Sequence, residues 1–133
     1  MSAGTAHDEL RALVQRYARA VDRRDVEALA RLFHPDATLV GANGTQTVGE
    51  WLGTMRAPRA FPVSMHLLGD PLISVGIGGT EATLDTYAVV YQIGDPASGG
   101  GDLTLGINYL DRAVHEQGRW LILRRESRTV WMR

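Results

Sequence analysis

The chain is expected to fold as an α+β domain in which a strongly curved antiparallel sheet wraps three N-terminal helices and leaves an apolar pocket. Three observations predict this. Apolar residues in the first third recur at helical spacing, as in Leu10, Leu13, Val14, Tyr17 and Val21. The second half holds four long segments rich in β-branched and aromatic residues, at 63–77, 81–93, 103–115 and 119–131. Between those segments lie Gly- and Asp-rich turn compositions, so consecutive strands should pair antiparallel. Helices followed by a meander give a curved sheet whose concave face, if unfilled, is the usual form of a small-molecule site.

In chain order, residues 1–7 read as a frayed tail and residues 8–133 as one domain, the length suiting a single core. The first helix should run to about Val21, and Asp22-Arg23-Arg24-Asp25 interrupts its stripe. Asp25 suits the N-cap of a second helical piece that buries Val26, Leu29, Leu32 and Phe33 and is closed by Pro35. Residues 37–48 form two short extended segments around Asn43-Gly44, a dipeptide that favours the positive φ of a tight hairpin. Residues 49–56 look helical, with Trp51, Leu52 and Met55 on one face and Pro58 and Pro62 beyond the end. Gly69-Asp70-Pro71 should bend the first long strand, because proline inside a strand pattern marks an edge or bulge.

Composition narrows the chemistry. There is no cysteine, and all 14 Lys+Arg residues are arginine, which removes thiolate nucleophiles, zinc–thiolate sites and Schiff-base lysines. A net charge of −1 with scattered arginines offers no basic stripe for nucleic acid. No long apolar run or signal-peptide pattern points to a membrane or to secretion, so a cytoplasmic location is the expectation.

Two side chains stand out. Asp22 borders the apolar stripe of the first helix, about 40° beyond Ala18, and a carboxylate there needs a partner because unpaired burial costs several kcal/mol. His66 is flanked by apolar residues on a strand expected to be central, whereas His7, His34 and His115 read as solvated. His66 alone suits a hydrogen-bonded core residue as well as a base. Joined to Asp22 it becomes a proton-abstraction device, since the carboxylate fixes the tautomer and leaves the other ring nitrogen free. Tyr17, about 140° around the helix from Asp22, would flank the pocket mouth, either as a hydrogen-bond donor to a reacting oxygen or as a core aromatic. Asp25 and Asp36 suit caps and turns, while Asp111 and Arg112 should face solvent or pair across strands. Val21, Phe33, Trp51, Met55, Tyr87, Tyr109 and Trp131 are candidates for the pocket lining, and Phe61 with the other aromatics fits core equally well. His66 and Asp22 alone offer too few ligands for a metal site.

The spaced residues Tyr17/Asp22/Asp25, Leu32-Phe33 with Asp36-Ala37, His66-Leu67-Leu68-Gly69-Asp70, Gly106/Tyr109/Asp111 and Gly118/Trp120 with Arg125 occur in order over residues 8–131. Together they resemble the SnoaL-like branch of the nuclear-transport-factor-2-like (NTF2-like) superfamily, which includes scytalone dehydratase, bile-acid 7α-dehydratase, hexachlorocyclohexane dehydrochlorinase and polyketide cyclases. The resemblance implies an NTF2-like cone, a catalytic Asp22–His66 dyad assisted by Tyr17, and an arginine at Arg125, with the adjacent Arg124 leaving the register open. It also implies a cofactor-free lyase or isomerase, dehydratase- or cyclase-like, acting on a small hydrophobic molecule such as a polyketide, steroid or terpenoid. A homodimer or homotrimer is implied as well. Some cones of this superfamily bind ligands or act as scaffolds without chemistry, which is the alternative.

Overall fold

A computed structural model of the chain describes residues 3–133. Helix α1 (Ala3–Arg23) is followed by a short α2 (Val26–Ala30), strands β1 (Phe33–Gly41) and β2 (Gly44–Thr47), and helix α3 (Val48–Arg56). The rest is strand: β3 (Val63–Leu68), β4 (Leu72–Val75), β5 (Glu81–Ile93), β6 (Leu103–Glu116) and β7 (Arg119–Met132), with one 3₁₀ turn at Pro96–Ser98. The 7 strands form one unclosed sheet in the order β2-β1-β7-β6-β5-β3, with β4 also on β5. The fold is the α+β cone that the sequence predicts.

Helix α1 lays Leu10, Leu13, Val14, Tyr17 and Val21 into the core, all with 6% exposure or less. It starts earlier than expected: residues 3–7 continue the helix rather than forming a tail, because Ala6 falls one turn before Leu10 and is itself buried. Met1 and Ser2 lie outside the described residues.

The end of α1 is built by its own sequence. Arg24 adopts the left-handed conformation (φ 57°), Asp25 N–H bonds the Ala20 carbonyl at 2.9 Å, and Arg24 N–H bonds that of Val21 at 3.1 Å. This is a Schellman termination with arginine where glycine is usual. Asp25 then caps α2 by accepting from Ala28 N–H at 3.0 Å. Asp22 therefore sits on the last turn of α1, at a sharply defined corner.

Two expectations about the chain's segments are corrected. Helix α2 ends at Ala30, and Phe33 and Pro35 belong to β1, which runs parallel to β7. The β1–β7 register is irregular between Phe33 and Thr38, and that irregularity is where a proline without an N–H is tolerated. The long segment 63–77 is divided at Gly69–Pro71 into β3 and β4, which pair with successive stretches of β5. Helix α3 opens with a capping box between Thr47 and Glu50, which fixes the helix that carries Trp51 and Met55.

Alternation along β5 defines the two faces of the sheet. Ala82, Leu84, Thr86, Ala88 and Val90 are buried toward the helices, while Tyr87, Tyr91 and Ile93 between them are exposed. The register carries the inner face across the sheet: His66 lies opposite Val90, Ile107 opposite Ala88, Tyr109 opposite Thr86, and Asp111 opposite both Leu84 and Arg125. The β6–β7 pairing slips at two bulges, between Arg112 and Ala113 and between Gly106 and Ile107.

Candidate active site

The corner of α1 meets the inner face of β3 at Asp22. Its Oδ1 lies 2.6 Å from His66 Nδ1 and accepts the Ser64 hydroxyl at 2.8 Å, while Oδ2 accepts the His66 backbone N–H at 2.8 Å. Because carboxylate Oδ1 can only accept, Nδ1 carries the proton and Nε2 keeps its lone pair. None of the described residues hydrogen-bonds Nε2. The His66 side chain is 8% exposed and that of Asp22 16%. Burial pushes the imidazole below its ordinary 6.5, and Asp22 opposes that shift by favouring the cation. Arg125 and Arg59 add to the lowering.

A second ion pair stands deeper. Arg125 Nε and Nη2 donate to Asp111 Oδ1 and Oδ2 at 2.7 and 2.8 Å, a bidentate fork with both side chains 2% exposed or less. The guanidinium packs against two aromatic rings set edge-on to each other, 3.9 Å from the Tyr17 centroid and 4.2 Å from that of Tyr109. Burial alone would lower the arginine, but Asp111 reverses this and holds it above its usual range. Burial likewise raises both tyrosines, with Arg125 pulling the other way, so each phenol is a neutral hydrogen-bond donor. Arg125 Nη1 and Thr86 Oγ1 are buried without a partner among the described residues.

Of the residues singled out in the sequence, Tyr17, Asp22, His66 and Arg125 all lie inside the cone. Arg124 points outward, where it pairs with Glu126 at 3.1 Å. Val21, Phe33, Met55 and Tyr109 are buried there too, and Trp51 stacks on Tyr17 with centroids 5.9 Å apart. Tyr87 and Trp131 are corrected. Tyr87 is 69% exposed on the outer face, and Trp131 lies opposite Gly106, which that face also carries. His34 and His115 are corrected as well. His34 Nε2 contacts Glu116 at 3.2 Å, and His115 packs edge-on to Trp120 with Nε2 buried.

The expected open pocket beside the dyad does not coincide with any of five hollows defined among the described residues. None of the five is lined by Tyr17, Asp22, His66 or Arg125. The most apolar, about 460 Å³, lies on the outer face between Leu67, Tyr87, Val89 and Trp131. The cone floor is filled by the rings of Tyr17, Phe33, Trp51 and Tyr109, with centroids 5.6–6.1 Å apart. Beside His66 the inner face is a separate small cluster of Ala88, Val90 and Tyr109, with Leu68, Leu105 and Ile107 only partly buried. Sequence reasoning missed Ser64, Arg24 and the burial of Asp111; the even spacing of Ser64 and His66 on one strand was the available signal for the first. Among the described residues no three His, Asp or Glu side chains gather to hold a metal ion. No described helix is long and apolar enough to cross a membrane.

Cone and strand order together define an NTF2-like fold. The sequence profile of the SnoaL-like domain matches residues 3–126, and the chain belongs to that family. Similar solved structures include a putative scytalone dehydratase from Novosphingobium aromaticivorans, with TM-score 0.80, 22% identity, and coverage of 95% of this chain and 85% of that one. A hexachlorocyclohexane dehydrochlorinase aligns with TM-score 0.83 at 13% identity, covering 97% and 88%. An NTF2-like superfamily protein from Salmonella enterica gives 0.82 at 17%, covering 96% and 93%. A comparison with curated proteins finds no match.

Proposed function

We propose that the protein is a cofactor-free lyase or isomerase, dehydratase- or cyclase-like, that takes a proton from a small, mostly apolar substrate. The observation that carries this reading is the 2.6 Å contact between Asp22 and His66, with Nε2 left unpartnered. Nε2 removes a proton from carbon next to a carbonyl, and the electron pair then expels a leaving group or forms an enolate. The Tyr17 phenol, resting on the Arg125 guanidinium, donates a hydrogen bond to the developing oxyanion. A substrate reaching Nε2 lies against the half-buried Leu68, Leu105 and Ile107, a wall suited to a polyketide, steroid or terpenoid skeleton. Purified protein incubated with a panel of β-hydroxyketones is expected to yield the dehydrated or isomerised product, and His66→Ala to yield none. Wild-type turnover in His66→Ala would reject the mechanism.

The filled cone floor favours a second reading, a non-catalytic binding or scaffold protein. It is distinguished by a ligand that is bound and recovered unchanged.

The outer face carries Val63, Met65, Leu67 and Tyr87, each at least 50% exposed, beside the apolar hollow. An apolar area of this kind marks an association surface, and we infer a homodimer or homotrimer formed through it. Light scattering after size exclusion should give a multiple of the 14.5 kDa chain mass, and Met65→Lys with Tyr87→Glu should give a monomer. A monomeric wild type at micromolar concentration would overturn this.

A further inference from the structure

Arg24 holds an unfavourable backbone conformation for a residue with a side chain, at the corner that carries Asp22. Its guanidinium ties three segments together. Nη1 donates to the Val21 carbonyl at 2.7 Å and to Ser64 Oγ at 3.0 Å, and Nη2 donates to the Phe61 carbonyl at 2.9 Å. Arginine has no acceptor, so Ser64 Oγ accepts a hydrogen bond from Arg24 and must direct its own proton elsewhere. That proton goes to Asp22 Oδ1, 2.8 Å away. The same oxygen faces His66 Nδ1 at 2.6 Å, so the hydroxyl and the imidazole share one acceptor.

We propose that Arg24 and Ser64 are a positioning pair for His66: Arg24 locks the Ser64 hydroxyl as a donor to Asp22, and this bond draws charge from the oxygen facing the imidazole and weakens the carboxylate's hold on the ring. The inference deepens the reading of His66 as a base and rests on it, but the coupling itself is measured without substrate.

The charged and titratable groups acting on His66 come from four directions. Asp22 on α1 is the negative one, Arg59 lies in the connection between α3 and β3, and Arg125 comes from β7, while Arg24 at the corner reaches the ring through Ser64 and Asp22. Tyr17 and Tyr109 face the same interior as neutral phenols.

The test is a pH titration of the His66 ring by ¹³C–¹H NMR on the intact protein, with His66→Gln assigning the resonance among the 4 histidines. Ser64→Ala and Arg24→Met should each raise the His66 midpoint by about 0.5–1 pH unit, the equivalent of one net hydrogen bond. Ser64→Thr, which keeps the donor, should titrate like the wild type. A midpoint that stays put or falls in either Ser64→Ala or Arg24→Met overturns the proposal, as does a Ser64→Thr midpoint displaced as far as that of Ser64→Ala. Full turnover in His66→Ala would instead overturn the base role and leave the titration result standing.

Discussion

Asp111→Ala is expected to remove about 3–5 kcal/mol of unfolding free energy, because it strands the Arg125 guanidinium in a fully buried site. The geometry gives the arginine nowhere to go. Both fork bonds to Asp111 are lost, Nη1 already lacks a partner, and the Tyr17 and Tyr109 rings at 3.9 and 4.2 Å wall in the guanidinium from two sides. Isolated burial of a cation is far more costly than burial of the pair, so the double replacement Asp111→Leu with Arg125→Met should recover much of the loss. Urea unfolding of the two single variants and the double variant checks this. A loss below about 1 kcal/mol in Asp111→Ala would mean that the fork contributes no more than an exposed ion pair.

Asp22→Asn is expected to lower turnover by about 10²–10⁴-fold on whatever compound the wild type converts, because the amide neither enforces the Nδ1–H tautomer nor stabilises the imidazolium formed on proton abstraction. The same variant has a signature in pH. In the wild type, burial depresses His66 below 6.5 against the opposing pull of Asp22, so the unfolded chain takes up the proton more readily than the folded one. The contribution of His66 to stability is therefore whole above about pH 6.5 and is lost as pH falls through the depressed folded value. With Asp22→Asn the pull on the proton disappears, the folded value drops further, and the decline extends to lower pH. Subtracting the stability–pH curve of His66→Gln from each parent curve isolates this part. Identical difference curves for wild type and Asp22→Asn would show that Asp22 does not act on the imidazole.

The meeting of Asp22 with His66 was legible because each residue announced a need in its own segment: a carboxylate at the edge of an apolar stripe, and an imidazole among apolar strand neighbours. Arg125 was harder. Counted evenly from the Gln117-Gly118 turn, Asp111 would face Arg124; the bulge at Arg112/Ala113 shifts the pairing by one residue and brings Arg125 into the cone. The bulge at Gly106/Ile107 does the reverse for Trp131, carrying it from the inner face to the outer one. Tyr87 was ambiguous for another reason. Both faces of β5 are apolar there, with Ala88 and Val90 inside and Tyr87, Val89 and Tyr91 outside, so alternation carried no contrast between them.

What the amino-acid order determined alone is local: the helical stripe of α1, the Asp25 cap, the strand segments, and the presence of one acid and one histidine in want of a partner. These follow from spacings of a few residues, within reach of backbone geometry and single hydrogen bonds. The tertiary structure decided the parallel union of β1 with β7, the face on which each β7 side chain emerges, and the closing of the cone floor by aromatic rings. Those outcomes depend on strand registers set by one-residue bulges and on packing between segments distant in the chain, where a shift of a single position exchanges inside for outside.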